Sequence, residues 1–488
     1  MMEWHVAEDL NDHAAVVALE DDSWRRRAVV IKENQRRTVY HVPANGACPG
    51  LYVKFDHPPG WRDRIKNLWR FKPQLEFLAG AALQRSGVPV VHFLSWGRDG
   101  CDGALASLEL VDAQPFNDAW RVARSNPEIR RHFIGALGRF LKLLVEHGVD
   151  HPDLHQGNVL YTAADEGVFH LVDVYGVRVG VPSDRLSCCR ILVWLFIFLH
   201  QLDDAEQGQC LATVIGPDGA FPHFERRDLY RWHERMARRC WRRRRHQYFR
   251  DSSICKRLDH SEMTGFLRRE LADSVVEECL SSHAANMGRD EHVLKRGKRR
   301  QLSEVTVDGV AYVVKEFRVP GPWAMWRPDR ICWRATQRLR YYAVPTAEAL
   351  AWVRLADGRG FVIFEKTGDS NLALYLREHY EAPECAGLCA AAGRLLAWIH
   401  LAGIIPRDLK LSNVMIHAHR DFPGMPLTLV DTDAVAFRRT VGADAADRNL
   451  RQMLDALPKT VDPNWPILLQ TAYNDEMMRV GPSHSFSL

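Results

Sequence analysis

The chain has 488 residues, of which 46% are hydrophobic, so it can form two or three domains with full cores. Its formal net charge of +4 is too small to indicate a nucleic-acid partner, and we expect none. The 11 cysteines form no Cys-x-x-Cys pair and no zinc-type cluster, which favours reduced thiols and a cytoplasmic location. The N-terminus lacks the pattern of a signal peptide, and the apolar run from Ile191 to Leu199 is too short to span a membrane, so we predict a buried helix there.

The first half of the chain opens with strand-like sequence. Residues 28–55 predict two or three antiparallel strands, the last of which ends near Lys54. The segment from Trp61 to Ser86 predicts a helix that carries Glu76. Two further strands are predicted at 89–96 and 105–111. This pattern indicates a small sheet-rich lobe.

A helical region follows from Phe133 and contains the most informative stretch of the chain. In the octapeptide HPDLHQGN at 151–158, Asp153 precedes Asn158 by five residues, and an apolar strand comes next. A second acid, Asp173, follows a further apolar run. An Asp, an Asn and a later Asp in this order are typical of the loops with which kinase-type phosphotransferases hold metal and acceptor. The first half therefore predicts a sheet-rich lobe and a helical lobe with a cleft between them.

The steepest change in composition lies at 226–250, where eleven residues are Arg. One interpretation is the solvated face of a terminal helix; another is contact with an anionic membrane surface or with phosphorylated sugars, since Arg binds phosphate bidentately. Nucleic-acid binding ranks third, because no aromatic-interleaved module accompanies the arginines. Charged helical sequence at about 251–290 then predicts a linker, which places two domains at 1–250 and 251–488.

The second half repeats the first half in the same order. Each half has a basic hairpin, a strand with a terminal Lys, a helix before an Asp-x-x-x-x-Asn loop, and a later Asp. These features are 30–37, Lys54, Asp153, Asn158 and Asp173 in the first half, and 293–300, Lys315, Asp408, Asn413 and Asp431 in the second. Matching segments in one order predict the duplication of a whole domain.

Phosphoryl transfer requires a Lys on the ATP phosphates, a Glu that holds this Lys, Mg²⁺ ligands, and an acid at the acceptor hydroxyl. In the first half, Lys54 would bind phosphate and Glu76 would hold it. Asp153 would act on the acceptor, and Asn158 with Asp173 would bind Mg²⁺. Alone, each residue could be a solvated Lys or a turn-capping Asx residue; the repeated order and spacing favour the functional interpretation.

The second half has a similar set of residues for phosphoryl transfer, but it lacks the helix Glu. The position of Glu76 falls on Cys332, and the same helix has no acid after Asp329. We therefore expect Lys315 to lack an acidic partner and the second copy to be weakened or inactive. The proposed roles are phosphate binding for Lys315, acceptor activation for Asp408, and Mg²⁺ binding for Asn413 and Asp431.

Neither half has a glycine-rich loop to cover the phosphates. Each basic hairpin instead offers cationic side chains, which can contact phosphate in place of backbone amides. We predict this role for Lys32, Arg36 and Arg37 in the first half and for Lys295, Arg299 and Arg300 in the second.

These motifs resemble the lipopolysaccharide core kinases, the Kdo and heptose kinases of the WaaP type within the protein-kinase-like superfamily. The resemblance covers about 25–250 and 285–450. Besides both catalytic loops, the residues that carry it are LYVKF at 51–55, Glu76, LQRSGVPV at 83–90, AYVVKEF at 311–317 and RYYAVPT at 340–346. It implies an α+β fold with two tandem protein-kinase-like domains, each a small antiparallel-sheet lobe plus a helical lobe. It also implies phosphorylation of an inner-core sugar hydroxyl, with ATP and Mg²⁺, at the cytoplasmic face of a Gram-negative inner membrane.

Some positions depart from the family pattern and leave alternatives open. Pro152 precedes Asp153 where His-Arg-Asp is common, Pro406 stands where the His is expected, and neither metal loop reads Asp-Phe-Gly. The sequence HQGN at 155–158 also resembles choline and aminoglycoside kinases, so another small-molecule acceptor is an alternative. A protein kinase is disfavoured because the lobe after Asp431 is short. An alternative of another class is a non-catalytic double pseudokinase, a scaffold or regulator that binds lipid or protein through the Arg-rich segment.

Overall fold

The structure is a computed structural model, and it divides into two compact units. The first unit comprises Met1–Leu195 with Asp204–Phe224, and the second comprises Phe196–Asp203 with Glu225–Leu488. The structure describes residues 2–479 except 7–14, 16–18, 21–22, 35, 47, 59, 62–64, 66, 68–69, 164–165, 182–201, 203, 216–218, 220–224, 261, 319–326, 418–424 and 459–461. The helix predicted from Ile191 to Leu199 lies outside the described residues. None of the described helices has the length and apolar character needed to cross a membrane.

A six-stranded antiparallel sheet forms the first part of the first unit. Its strands are β1 (Glu3–Val6), β2 (Val29–Asn34), β3 (Arg37–Val42), β4 (Leu51–Asp56), β5 (Phe93–Asp99) and β6 (Asp102–Leu108), in the spatial order β1-β5-β6-β4-β3-β2. Side chains alternate along β4, so Val53 and Phe55 are buried on one face beside Trp24. Lys54 consequently points to the opposite face of the sheet.

Helix α1 (Lys72–Arg85) packs closely on β5 and β6. A Cβ added to Gly80 would lie 2.1 Å from the ring of Phe93, so only Gly permits this approach. The close packing leaves Glu76 fully buried. The helix predicted from Trp61 to Ser86 is thus observed from residue 72 onwards, and much of its earlier part lies outside the described residues.

The remainder of the first unit is helical, with a small three-stranded sheet. Its elements are α2 (Phe116–Arg124), α3 (Pro127–Glu146) and α4 (Asp204–Val214), with β7 (Gln114–Pro115), β8 (Val159–Thr162) and β9 (Val168–Leu171). Aromatic side chains fill the core, where the ring of Phe133 lies 5.0 Å from the rings of both Tyr161 and Phe169. Helix α3 ends before Gly148, whose positive φ of 58° turns the chain towards the loop at 151–158.

Helix α5 (Arg226–Arg244) carries most of the Arg-rich sequence, and it belongs to the second unit. Its Trp241 is buried in one core cluster with Trp333, and the hydroxyl of Tyr230 donates a 2.8 Å hydrogen bond to Glu476. The compact units therefore divide near residue 225, whereas the composition suggests a boundary at 250. The reason is that composition reveals the arginines of α5 but not its buried aromatic face.

A seven-stranded antiparallel sheet forms the next part of the second unit. Its strands are β10 (Cys255–Asp259), β11 (Met263–Arg268), β12 (Val293–Arg296), β13 (Arg300–Val307), β14 (Val310–Phe317), β15 (Ala349–Leu355) and β16 (Gly360–Glu365), in the order β10-β11-β15-β16-β14-β13-β12. Helix α6 (Asp273–Arg289) packs on one face through Val276, beside Val314. Helix α7 (Pro328–Tyr341) packs on the other face through Trp333, beside Val362.

The predicted helical linker at 251–290 is wrong in its first part. Residues 255–268 form the hairpin β10–β11, which adds to the edge of the seven-stranded sheet. Its charged residues, such as Arg257 and Asp259, lie on the exposed side, while Leu258 and Leu267 are buried. The charged residues therefore obscure the alternation of buried and exposed residues that is typical of a half-buried strand.

The last part of the second unit is helical. Its elements are α8 (Leu372–Glu378), α9 (Glu384–Leu401), α10 (Ala443–Asp455) and α11 (Asn464–Arg479), with β17 (Ile404–Pro406), β18 (Val414–Ile416), β19 (Leu427–Leu429) and β20 (Val435–Phe437). Strand β17 pairs with β20, and β18 pairs with β19. In the core of this part, the ring of His400 contacts the Tyr473 hydroxyl at 3.0 Å and Asn449 Oδ1 at 3.2 Å.

The two sheets have corresponding strand orders. Without β10, the order β11-β15-β16-β14-β13-β12 in the second unit follows the order β1-β5-β6-β4-β3-β2 in the first. The pairing registers also agree, since Lys54 pairs with Val39 and Lys315 pairs with Leu302. In the described residues, each unit has an antiparallel sheet followed by helices, which is the α+β class that the sequence predicts.

Candidate active sites

Lys54 is held by two acids from separate elements of the first unit. Its Nζ donates to Glu76 Oε1 at 2.6 Å and to Asp173 Oδ1 at 3.1 Å. Lys54 lies on the central strand β4, Glu76 on helix α1, and Asp173 just after β9. Burial raises the pKa of Glu76, and the ammonium of Lys54 opposes this rise. The contacts fix the ammonium group beside the acid that the sequence predicts to bind metal.

Arg37 completes this cluster on the side of the sheet. Its guanidinium lies 3.0 Å from Asp56 Oδ1 and 3.1 Å from Asp173 Oδ2. Burial alone would raise the pKa of Asp173, but Lys54 and Arg37 hold that pKa well below its usual range. Asp173 therefore remains an ionised carboxylate at any physiological pH.

Hydrogen bonds within the loop after α3 hold Asp153 and Asn158 together. Asn158 Nδ2 donates to the carbonyl oxygen of Asp153 at 3.0 Å, and the Asp153 amide donates to His151 Nδ1 at 3.2 Å. The carboxylate of Asp153 stays 76% exposed. The amide of Val172 donates to the Asn158 carbonyl at 3.0 Å, so Asp173 follows directly beside this loop. The loop and the lysine cluster thus belong to one site.

The oxygen atoms of this site fit a magnesium ion. The Asn158 side chain uses Nδ2 for its hydrogen bond, so Oδ1 is the atom available to a metal. Asp173 adds a carboxylate, and Mg²⁺ prefers hard oxygen ligands of these kinds together with phosphate oxygens. Asp173 has a φ of 52°, in the left-handed region that non-Gly residues seldom adopt and that is common at functional sites.

The second unit contains a comparable cluster around Lys315. Its Nζ donates to Asp431 Oδ1 at 2.5 Å and to Asp433 Oδ1 at 3.1 Å. Asp433 Oδ2 lies 2.8 Å from Arg300, with the distance of an ion pair but without the alignment of a hydrogen bond. The expectation that Lys315 lacks an acidic partner is therefore wrong. Cys332 does occupy the helix position of the glutamate, but the acid comes from Asp433 instead.

The pKa values of the two acids around Lys315 are shifted in opposite directions. Burial opposes ionisation of Asp431, yet the hydrogen bond with Asp433 and the ammonium of Lys315 hold its pKa well below the usual range. Burial raises the pKa of Asp433, and the same hydrogen bond adds to this rise. Burial would lower the pKa of Lys315, but the surrounding groups raise it overall. A charged Lys315 and an ionised Asp431 result.

The second loop repeats the hydrogen bonds of the first loop. Asn413 Nδ2 donates to the Asp408 carbonyl at 2.9 Å, and the Val430 amide donates to the Asn413 carbonyl at 2.8 Å. Asp431 has a φ of 58°, close to the φ of its counterpart in the first unit. The two carboxylates have different neighbours, because Lys410 Nζ lies 2.8 Å from that of Asp408, whereas His155 Nε2 lies 3.6 Å from that of Asp153.

A cavity of about 530 Å³ adjoins this second cluster. Its size lies within the range of small-molecule and cofactor sites, about 300–1,000 Å³. Polar and apolar side chains both line it, among them Lys315, Asn413, Asp431, Leu302, Phe364 and Met415. The predicted Lys, Asn and Asp therefore meet at one cavity, with apolar residues from the seven-stranded sheet and from β18.

The arginines of the two basic hairpins divide into exposed and inward-facing ones. Arg36 and Arg299 are exposed, whereas Arg37 and Arg300, one residue later, contact the acid clusters. Strand pairing places Arg37 opposite Asp56. Asp56 follows Lys54 by two residues on β4, so Arg37 lies on the same face of the sheet as Lys54. Counting alternate residues from the lysine strand would have identified the inward arginines.

Comparison with known proteins gives a distant kinase relationship. The chain matches no protein-family model. The lipopolysaccharide core heptose(I) kinase WaaP of Pseudomonas aeruginosa is 28% identical over 139 residues, which are 26% of this chain and 51% of that protein. The chain thus spans about half the length of this curated relative. The solved structure of WaaP in complex with acyl carrier protein covers 38% of this chain and 78% of that chain, at 19% identity and a TM-score of 0.29. The sequence match supports a distant relationship to a kinase that acts on lipopolysaccharide core.

Proposed function

We propose that the chain is an ATP-dependent phosphotransferase that phosphorylates a sugar hydroxyl of the lipopolysaccharide inner core, on Kdo or heptose. The observation that carries the proposal is the site of the first unit, where Lys54 contacts both Glu76 and Asp173 beside the loop of Asp153 and Asn158. The corresponding strand orders support two tandem kinase-like domains. The match to a heptose kinase supports a sugar acceptor.

The contacts of each residue suggest its role in this reaction. Magnesium-bound ATP would supply the phosphoryl group. Lys54, oriented by Glu76, would place its ammonium on the phosphate oxygens. Asp173 stays ionised and would bind Mg²⁺ with Asn158. Asp153, whose carboxylate is exposed, would orient the acceptor hydroxyl and take its proton.

The proposed acceptor also suggests where the protein works. Core sugars joined to a lipid would meet the enzyme at the cytoplasmic face of the inner membrane. The exposed arginines of α5 offer a surface for anionic lipid headgroups there. Peripheral membrane association is therefore part of the proposal.

Replacement of the proposed base tests the enzymatic role. Asp153→Asn keeps the size of the side chain but removes its ability to take a proton. We expect acceptor-dependent ADP release, measured with lipopolysaccharide core acceptors, to fall by about 10²- to 10⁴-fold. Asp408→Asn, the matched change in the second loop, should leave most of this turnover. Unchanged turnover in Asp153→Asn would refute the assignment.

Two further measurements separate the enzyme from a scaffold. A thermal shift with Mg²⁺–ATP that is reduced in Lys54→Ala supports the enzyme, whereas no shift at all supports a double pseudokinase. Loss of phosphate from the lipopolysaccharide core of cells lacking this protein would identify the acceptor class. Normal core phosphate together with ATP turnover would point to another small molecule.

A further inference from the structure

The second unit lacks the helix glutamate that holds the lysine in the first unit. Helices α1 and α7 both have 14 residues, and Glu76 and Cys332 are each the fifth residue of their helix. Cys332 is fully buried near Lys315, and burial raises the pKa of its thiol to about 12. A neutral thiol cannot balance the ammonium charge. Another group must hold Lys315 in place.

Asp433 takes this place from a different element. Its side chain is only 3% exposed, and its two oxygens lie 3.1 Å from Lys315 and 2.8 Å from Arg300. The left-handed φ of Asp431 and the short 3₁₀ helix Thr432–Ala434 turn the chain, so that both Asp431 and Asp433 face the same ammonium group. At the corresponding position the first unit has Tyr175, which is not an acid.

A second contact keeps this turn in position. The hydroxyl of Thr432 lies 2.5 Å from the hydroxyl of Thr336, and both residues are buried. Thr336 is on α7, one turn after Cys332. Helix α7, which has Cys332 at the position of the glutamate, therefore supports the turn that provides Asp433.

The two acids have different roles, metal binding for Asp431 and positioning of Lys315 for Asp433, and this difference indicates a ligand. Asp431 has the place of a metal ligand, and a carboxylate that binds a metal has less negative charge left to balance Lys315. Asp433 is not assigned to metal binding, so Lys315 keeps an acidic partner when Asp431 binds metal. Asp431 lines the cavity of about 530 Å³ together with Lys315 and Asn413. Asp433 is not a lining residue, and it reaches the site through its contact with Lys315. A structural ion pair alone would not require a second acid or a cavity.

We infer that the second unit has its own binding site for a magnesium-bound nucleoside triphosphate, in which Asp433 replaces the helix glutamate as the residue that positions Lys315. This site goes beyond the proposed reaction, which belongs to the first unit. Asp433 acts through Lys315 and is a positioning residue. The site binds nucleotide whether or not Asp408 supports transfer.

Binding of nucleotide to the full chain tests the inference without any measurement of turnover. Lys54→Met removes the phosphate contact of the first unit and serves as the background. We expect this variant to bind one equivalent of Mg²⁺–AMP-PNP in isothermal titration calorimetry. Adding Lys315→Met should abolish that binding. Absence of binding in the Lys54→Met background would overturn the second site.

The role of Asp433 is tested by moving the acid back to the helix. In the Lys54→Met background, Asp433→Asn should weaken binding by about tenfold or more, since a charge-assisted contact to Lys315 is lost. Adding Cys332→Glu to Asp433→Asn should restore most of the affinity. A structural role of Asp433 would not produce this rescue. Unchanged affinity in Asp433→Asn, or no rescue in a folded double variant, would overturn the role.

Two controls complete the design. Thermal unfolding without nucleotide shows which variants fold. If Asp433→Asn does not fold, the pair Asp433→Ser with Cys332→Glu replaces the pair Asp433→Asn with Cys332→Glu. Restored binding in that pair supports the inference, and its absence contradicts it. Failure of the proposed sugar kinase would appear separately, as unaffected turnover in Asp153→Asn.

Discussion

At the scale of single residues, two buried acids hold the two lysines from different elements. Glu76 reaches Lys54 from helix α1, whereas Asp433 reaches Lys315 from the turn after Asp431. Burying an ion pair costs solvation of both charges, so each pair requires close and well-oriented contacts. The distances of 2.6 and 3.1 Å meet this requirement. Two different local structures thus place an acid beside each lysine.

His400 makes the stability of the second unit depend on pH. Burial lowers its pKa to about 4, although the hydrogen bond with Asn449 opposes this shift. In an unfolded chain a His takes up a proton below about pH 6.5. The unfolded state therefore binds more protons between pH 6.5 and 4, so stability is full above this window and is lost as the pH falls through it. We expect a loss on the order of 2 kcal/mol by about pH 5.

Urea unfolding at about pH 7.5 and about pH 5 checks this dependence. His400→Gln can still form hydrogen bonds but does not titrate, so its free energy of unfolding should change less with pH than that of the wild type. Part of the slope should remain, because burial also lowers the pKa of His233 to about 3. An undiminished slope in His400→Gln would assign the effect to other groups.

The residues that sequence spacing predicts and those that it misses differ in kind. The spacing places Lys54 on a strand and Glu76 on the next helix, and the structure brings them together. Asp433 is missed because its role depends on a turn, and the contacts of Arg37 with Asp56 and Asp173 are missed because they depend on strand pairing. Neither feature is visible from the distance between motifs along the chain.

At the scale of elements, the close approach of α1 to the sheet keeps Glu76 next to Lys54. A Cβ on Gly80 would meet the ring of Phe93 at 2.1 Å, so Gly80→Ala must displace the helix or the ring. We expect overpacking to cost about 1–3 kcal/mol of stability. Nucleotide affinity in the first unit should fall as well, because the displaced helix withdraws Glu76.

The same substitution in another helix of the first unit provides the control. At Gly135, on α3, a Cβ would have only an ordinary contact, 3.6 Å from Arg139. Gly135→Ala should therefore stabilise the protein by about 0.5–1 kcal/mol, because Ala favours helix more than Gly does. Denaturant unfolding of both variants tests the pair. Equal effects at the two positions would contradict the proposed packing constraint.

Helix α5 presents a row of exposed arginines on one face. Arg231, Arg235, Arg239 and Arg242 follow one another at spacings of three or four residues, which places them along the same side of the helix. We predict that this row binds vesicles containing phosphatidylglycerol. Replacing Arg235, Arg239 and Arg242 with Gln should weaken binding by about 3 kcal/mol, at ~1 kcal/mol for each arginine.

Co-sedimentation with vesicles measures this contact. The control replaces Arg85, Arg124 and Arg131, three exposed arginines that are scattered over the first unit, and it removes the same charge. This control should retain binding, and added salt should weaken binding of the wild type. Equal losses in both triple variants would indicate a general charge effect, and preference for RNA over vesicles would contradict the lipid prediction.

The elements themselves were partly predictable. The strand predicted to end near Lys54 is observed as Leu51–Asp56, and the strands predicted at 89–96 and 105–111 are observed, shifted by a few residues, as Phe93–Asp99 and Asp102–Leu108. Periodic apolar residues explain these results. The hairpin at 255–268 was missed because charged residues cover its outer side and resemble a helical linker.

At the scale of the whole molecule, the two units repeat one order of strands and one type of loop but differ in detail. The repeated sequence motifs predict two sheet-and-helix units, and each unit has this composition in its described residues. The division near residue 225 was not predictable from composition, because it depends on which core buries Trp241. The two candidate sites differ in the neighbours of Asp153 and Asp408, whereas both lysines have acidic partners.

The position of Asp433 also determines how each lysine could be switched off. In the first unit, an outward swing of α1 would separate Glu76 from Lys54, so movement of one helix can disable that site. In the second unit, only Thr432 separates Asp433 from Asp431, and the two acids must move together. A swing of α7 would break the contact between Thr336 and Thr432 that supports the turn, but it would not carry the acid away on the helix itself. The second site is therefore less directly tied to helix movement than the first.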